Sequence, residues 1–157
     1  MIEVCKALFR DMPHVTRLDT QTQEFHMDVD EVKEWFTGVG RAPYIARLSG
    51  REVGFALAMF DKSKDTVIID RIGSHPSFRR VGIGRKLVER IVLEANTENI
   101  GKVQMIVPSY IIDDMQDPWN IEQWLWKLGF KALGTLPDPL RRYNRDYDAY
   151  IFQRMKP

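Results

Sequence analysis

Asp70-Arg71-Ile72-Gly73-Ser74-His75-Pro76-Ser77-Phe78-Arg79-Arg80-Val81-Gly82-Ile83-Gly84-Arg85-Lys86-Leu87-Val88 runs from a β-rich segment, through a basic turn spaced by glycines, into a segment of helical periodicity. Glycines at 82 and 84 let the backbone approach a ligand closely, so several N–H groups can converge on phosphate oxygens. The start of the following helix adds about half a positive charge. Arg79, Arg80, Arg85 and Lys86 place formal charge around the same turn. A pyrophosphate is the natural guest of this arrangement, although a tight strand-to-helix turn with a solvated basic face has the same composition. Two familiar phosphate loops are absent. There is no G-x-x-x-x-G-K-[ST], and Gly82-Ile83-Gly84 is not followed by the third glycine of the dinucleotide fingerprint.

Upstream, residues 2–9 alternate loosely and read as a strand, and Asp11 with Pro13 suits a helix start running through Leu18. Asp28 or Asp30 can cap a second helix whose apolar face is Val29, Val32, Trp35 and Phe36, with Gly38 ending it. Residues 44–48 and 52–60 are β-rich runs joined by Ser49-Gly50-Arg51, a hairpin by composition. A third run, 66–72, completes an antiparallel meander. Residues 82–95 return to helical spacing with Ile83, Leu87 and Ile91 inward, and 102–107 is another strand. A helix over 118–128, closed by Gly129, precedes strands near 130–136 and 147–155. The fold class is α+β, a mixed and mostly antiparallel central sheet flanked by helices, with a parallel pair expected at the strand-helix-strand step from 66 to 107. A binding crevice opens at such a step, beside a helix N-terminus. No repeat, low-complexity tract or Gly/Ser linker divides the chain, so residues 1–157 are expected to form a single domain.

With 23 Lys+Arg against 22 Asp+Glu, the formal net charge is +1. That balance supplies no field for holding nucleic acid non-specifically, and no specific nucleic-acid partner is expected. An apolar content of 44% with 11% aromatics supports a sizeable core and argues against disorder. The single cysteine, Cys5, leaves no internal disulfide and no multi-cysteine zinc site. Lys6, Arg10 and Asp11 interrupt any apolar signal-peptide region, and no apolar run approaches the roughly 18 residues of a spanning helix. The expected setting is cytoplasmic, away from membranes.

Arg79-Arg80-Val81-Gly82-Ile83-Gly84 resembles the acetyl-CoA signature [RQ]-x-x-G-x-[GA] of the GCN5-related N-acetyltransferases, with His75-Pro76 before it and a leucine-bearing helix after it. Lys127-Leu128-Gly129-Phe130 resembles a second signature of that family, and the order of elements over about residues 2–155 is also similar. The resemblance implies acetyl-CoA as co-substrate, no metal, and acetyl transfer to a primary amine: a protein N-terminus, a small amine or a polyamine. It implies that the backbone of Ile72, Gly73 and Ser74 pairs with the pantetheine arm like an added strand. Arg79, Arg80, Val81, Gly82, Ile83, Gly84 and Arg85 would hold the pyrophosphate. The acetyl thioester would lie in a cleft where the fourth and fifth strands splay, its carbonyl polarised by backbone amides.

Acetyl transfer needs a neutral amine, so a base or water relay takes a proton, and an acid can protonate the departing thiolate. Asp70 stands on the long strand where some members carry a histidine base; a solvated carboxylate or a partner for Arg71 is the plainer reading. His75, followed by Pro76, reads as structural. The family's frequent acid, a tyrosine in the helix before Gly129-Phe130, is replaced by Leu125. Asn120 stands closer to Phe130 than the family's cofactor-touching asparagine does. Tyr110, Tyr143 and Tyr147 are substitute acids, Tyr143 being the preferred one, against the plainer reading of each as packing. Arg142-Tyr143 and Asp148-Ala149-Tyr150-Ile151 resemble the ending of ribosomal-protein alanine N-acetyltransferases, which acetylate protein N-termini; the strand glutamate of those enzymes is Ile106 here.

Trp119, Trp124 and Trp126 read as packing of an amphipathic helix ahead of an aromatic cage. Asp113, Asp114 and Asp117, with Asp28, Asp30, Glu31 and Glu34, offer two acidic walls to a cationic amine, against the simpler reading of solvated surfaces. The alternative to an enzyme is a catalytically weak acyl-CoA-binding sensor or docking module using the same cleft, which Leu125 favours. A small nucleic-acid-binding domain, using the arginines of the turn with Arg141, Arg142 and Arg145, is opposed by the net charge. A closing sheet edge can support a homodimer. A bulky side chain at Gly82 or Gly84 is expected to weaken CoA binding while leaving the fold largely intact.

Overall fold

In the computed structural model, which describes residues 1–23, 26–136 and 148–155, the strands are β1 (Ile2–Lys6), β2 (Arg41–Leu48), β3 (Arg51–Asp61), β4 (Thr66–Ser74), β5 (Lys102–Pro108), β6 (Lys131–Leu136) and β7 (Ala149–Met155). The helices are α1 (Met12–Thr22), α2 (Val29–Thr37), α3 (Ile83–Thr97), α4 (Ser109–Asp113) and α5 (Ile121–Lys127). One sheet takes all seven described strands in the order β1-β2-β3-β4-β5-β7-β6. Neighbours are antiparallel except β4 and β5, the parallel pair that the strand-helix-strand step requires. Ser49 and Gly50, at φ 51° and 82°, supply the left-handed turn that joins β2 to β3.

Alternation along β3 divides the core into two layers. Phe55 and Leu57 pack with Val15 and Leu18 of α1, Val32 and Trp35 of α2, and Met27 between those helices. Ala56 and Ala58 face the other way, into a larger cluster with Ile83, Leu87 and Ile91 of α3, Leu125 of α5, and Val67, Ile69, Met105 and Phe152 from the sheet. Burial of each large aliphatic or aromatic side chain there is worth roughly 1.5–3 kcal/mol. Glycine at 54 sets how closely α3 lies on the sheet: a Cβ there would come within 2.5 Å of Ile83 Cγ2 and 3.4 Å of Leu87 Cδ1. On the same face the buried Tyr44 hydroxyl donates to Glu94, which also meets Lys6 Nζ at 3.4 Å and Arg90 Nη2 at 3.3 Å. Burial and then this bond to a carboxylate push the Tyr44 hydroxyl well above the usual phenol range.

Element boundaries differ from expectation where side chains compete for backbone groups. Between the two acids that could cap α2, the structure uses Asp28: its carboxylate accepts from Glu31 N at 2.8 Å, and Glu31 Oε1 accepts from Asp28 N at 3.2 Å. Val29, expected inward, is 68% exposed. The helix expected from Pro118 begins at Ile121, because Asn120 sits at φ 54° and the Asp117 carboxylate accepts from Ile121 N at 2.7 Å and Glu122 N at 3.1 Å. Helix α4 had no clear sequence signal, being a single short turn after β5. No helix among the described residues is long and apolar enough to cross a membrane.

Gly54→Ala is expected to destabilise the fold by about 1–3 kcal/mol through overpacking against α3, read from urea unfolding. An unchanged unfolding midpoint would show that α3 can lift from the sheet at no cost.

Candidate active site

Strands β4 and β5 pair only from Thr66↔Lys102 to Ile69↔Met105. Beyond that point β4 continues against β3 as far as Ser74, while β5 continues against β7 as far as Pro108. The two strands therefore part, each held by its outer neighbour, and leave a cleft between them. The parting coincides with a β-bulge. Ala58 pairs with Ile69 but Leu57 pairs with Arg71, so Asp70 has no opposite number on β3. The bulge resets the alternation of β4: Ile69 and Ile72 both pack into the α3 cluster, and Arg71 between them turns toward α1.

Arg71, 8% exposed, meets Asp19 of α1, 1% exposed, with Nη1 2.6 Å from Oδ1. The second carboxylate oxygen of Asp19 accepts from Met27 N at 2.8 Å. One buried pair thus ties the bulge to α1 and to the connector leading to α2. The end of α1 presses on the open part of β4, where a Cβ at residue 73 would overlap Thr22 Oγ1, so only glycine fits.

The ladder also decides which backbone groups of β4 face the cleft. His75 N donates to Val53 O at 2.7 Å, and in the same register Gly73 lies opposite Phe55. Backbone groups of alternate residues point to opposite sides of a strand. Those of Gly73 are therefore turned to β3, while those of Ile72 and Ser74 open into the cleft. Both cleft-facing carbonyls receive a donor from this chain: Gln23 Nε2 to Ile72 O at 3.0 Å, and Arg79 Nε to Ser74 O at 3.5 Å.

At the mouth of the cleft the basic turn leads into α3. His75 is structural, its Nδ1 accepting from Ser77 N at 3.1 Å to cap a short 3-10 turn. Arg80 and Gly82 both have positive φ, 67° and 91°. Gly82 caps α3, and the N–H groups of Ile83, Gly84 and Arg85 follow in its first turn, where no helical carbonyl precedes them. Ile83 is a core residue by its side chain, and Val81 is exposed. The two glycines have different causes. Gly82 is required by its φ, and a Cβ there meets only the Arg85 guanidinium at 3.6 Å; at Gly84 a Cβ would lie 3.0 Å from the Trp124 ring. Gly84 therefore lets α5 pack on α3, and a bulky side chain there meets the Trp124 ring, a cost to the fold that was not expected. The guanidinium of Arg79 lies 5.8 Å from the centre of the half-exposed Trp119 ring.

The Acetyltransf_1 model, described as the acetyltransferase (GNAT) family, matches residues 5–110, more than half of the chain and all of the cleft-forming strands. The chain belongs to the GNAT acetyltransferase family. It is accordingly an N-acetyltransferase with acetyl-CoA as co-substrate. Among solved structures, the ribosomal-protein-S18-alanine N-acetyltransferase of Escherichia coli is similar over 99% of this chain and 94% of its own, with a TM-score of 0.79 and 17% identity. Arabidopsis thaliana Naa50, in complex with the bisubstrate analogue CoA-Ac-MVNAL, gives 0.77 at 14% identity, with 99% of both chains covered. Arabidopsis thaliana NAA60, in complex with acetyl-CoA, gives 0.78 at 15% identity over 99% of this chain and 98% of its own. No curated protein sequence matches.

For this GNAT acetyltransferase, the preferred acid Tyr143 and its neighbour Tyr147 lie outside the described residues, as do Arg141, Arg142 and Arg145. Tyr110 is buried, and Leu125 is 0% exposed, an apolar core residue where the family often has a tyrosine. A phenol that sequence reasoning did not weigh as an acid, Tyr150, donates to Asp113 at 2.8 and 2.9 Å, and that bond raises its pKa. Asp113 at the end of α4, Asp117 before α5, and Asp28 and Glu31 at the start of α2 thus serve hydrogen bonds within the fold. Asp19 and Gln23 were also missed: one lies in α1 and the other just past its end, with no motif, and their partners are on β4, far away in sequence. No cluster of three or more His, Cys, Asp or Glu able to hold a metal occurs among the described residues.

Arg71→Met is expected to cost about 3–5 kcal/mol by stranding the buried Asp19, with most of the loss recovered in Arg71→Met/Asp19→Leu; chemical unfolding of both variants checks this, and equal losses would rule the pair out as the cause. Gly82→Ala is expected to cost only about 1–2 kcal/mol of backbone strain yet weaken CoA binding, whereas Gly84→Val should lower the thermal unfolding midpoint through Trp124. Calorimetric titration with CoA beside thermal melts separates them, and matching profiles would contradict the distinction.

Proposed function

We propose that this protein transfers the acetyl group of acetyl-CoA to the α-amino group of a protein N-terminus. The observation that carries the cofactor's position is the open edge of β4, with the Ile72 and Ser74 backbone groups facing the cleft beside the basic turn of α3. An unpaired strand edge accepts an extended chain by strand addition, and the pantetheine arm is such a chain with amides along it. The first-turn N–H groups of α3, Arg79, Arg80 and Arg85 suit the pyrophosphate end. An arm lying along β4 from that turn ends where β4 and β5 part, at Asp70.

In this reading the neutral amine attacks the thioester carbonyl carbon: the C–N bond forms, the C–S bond breaks, and CoA leaves as thiolate. The amine proton passes to the Asp70 carboxylate, directly or through water, and a proton returns to the sulfur. Cleft-facing backbone N–H groups stabilise the oxygen on which charge develops. The sequence ending near Asp148-Ala149, similar to that of ribosomal-protein alanine acetyltransferases, supports a protein N-terminus over a small amine or polyamine. So does the likeness to enzymes whose names or bound analogues specify a peptide α-amine. The exposed Cys5 fits a reducing compartment such as the cytoplasm.

Leu125, in the core at the usual acid position, favours a second reading as a catalytically weak CoA-binding module. The deciding measurement is thiol release from acetyl-CoA with short peptides, lysine and polyamines, after a CoA-induced thermal shift on the same sample. Turnover on peptides is expected; a thermal shift without turnover across the panel would favour the binding module. Asp70→Asn is expected to lower kcat about 100-fold or more with acetyl-CoA affinity retained. An unchanged kcat and pH–rate profile would remove Asp70 from proton transfer.

A further inference from the structure

We propose that the Gln23 carboxamide is a placeholder on the open edge of β4, occupying the Ile72 carbonyl that an amide of the cofactor arm takes when acetyl-CoA loads. This rests on the reading in which that arm lies along β4.

The orientation of the Gln23 amide is determined by its partners. Nε2 donates to Ile72 O at 3.0 Å and to Thr22 Oγ1 at 3.1 Å. Thr22 Oγ1 itself donates to Leu18 O at 2.7 Å, so toward Gln23 it can only accept. Both amide hydrogens are therefore committed, and the NH2 group, not the carbonyl, faces the strand. The residue's backbone is anchored as well, as Gln23 N donates to Asp19 O at 2.9 Å where α1 ends. The contact joins residues 49 apart in sequence and holds a flexible side chain across the cleft edge, at a cost in rotamer entropy.

An amide donating to a cleft-facing strand carbonyl is the bond that strand addition by an extended ligand would make. Ile72 O is a cleft-facing carbonyl, and the Gln23 carboxamide already donates to it. On this assignment a ligand amide pairing there displaces the Gln23 bond, so the free protein holds its own edge with a group chemically equivalent to the incoming one. Arg79 makes a longer approach to Ser74 O at 3.5 Å, the other cleft-facing carbonyl, but its charge keeps it beside the pyrophosphate. Gln23 has no such second use for the ligand, and its departure leaves the α1 fastening at Asp19 and Arg71 in place.

This assignment predicts the opposite sign from a ligand-binding role. In Gln23→Ala, and in Gln23→Met, which keeps the length without the donor, CoA is expected to bind about three- to tenfold more tightly than in the natural protein, the range one net hydrogen bond is worth. Calorimetric titration of CoA into each full-length protein reads this, with thermal melts confirming that the variants are folded. Weaker binding in the variants would make Gln23 a cofactor contact, and equal binding would make it a structural cap; either result overturns the proposal. Failure of the natural protein itself to bind CoA would instead overturn the reading of the cleft on which the proposal rests.

Discussion

One extra residue in a strand organises this molecule. Asp70 is the bulge of β4, and the phase of the strand on either side of it depends on that extra residue. Uninterrupted alternation would put Arg71 on the same face as Val67 and Ile69, a guanidinium in the apolar layer beneath α3, at a cost of several kcal/mol. The bulge turns Arg71 to the α1 face, where Asp19 receives it, and returns Ile72 to the apolar layer. A bulge also bends and twists its strand. Here it lies directly after the last β4–β5 pair, where the sheet must open if a ligand is to enter it.

The Arg71–Asp19 pair bears on shape more than on stability. Desolvation of two buried charges offsets most of their attraction, so such a pair adds little over an apolar substitute. It does specify position, because the carboxylate also holds Met27 N. The end of α1 is thereby held over the open edge of β4, close enough to exclude any side chain at Gly73 and to bring Gln23 to Ile72. The geometry of the cleft wall follows from a charge that has one compensated place to go.

On the opposite face the basic turn combines a conformational requirement with a packing requirement. Gly82 satisfies the first through its positive φ, and Gly84 the second by admitting Trp124 of α5. The acids around α5 and α2 that resemble a docking surface for a cationic amine are engaged in part within the fold: Asp117 caps α5 and Asp28 and Glu31 cap α2 by local bonds, and Asp113 accepts from the distant Tyr150. Short-range competition for backbone N–H groups accounts for Asp117, Asp28 and Glu31.

Local patterns are legible without a fold. The Ser49-Gly50 hairpin, the cap of α2 at Asp28 or Asp30, the amphipathic spacing of α3 and the glycine-spaced basic turn each depend on residues within a few positions of one another, the family signatures at 79–84 and 127–130 are equally local, and the parallel step from 66 to 107 follows from the order of such local elements. The bulge at Asp70 left no such trace, because DRIG reads as unbroken strand until Ala58 and Leu57 of β3 are laid beside it. Asp19 and Gln23 were silent for the same reason: a carboxylate in a helix or an amide at its end acquires a role only from the strand brought against it. Gly84 was visible as a ligand contact, and its packing against Trp124, which reaches it from another helix, was not. Periodicity and capping are short-range physics and are written along the chain, whereas burial of charge, register and close approach arise between distant segments and exist only once those segments meet.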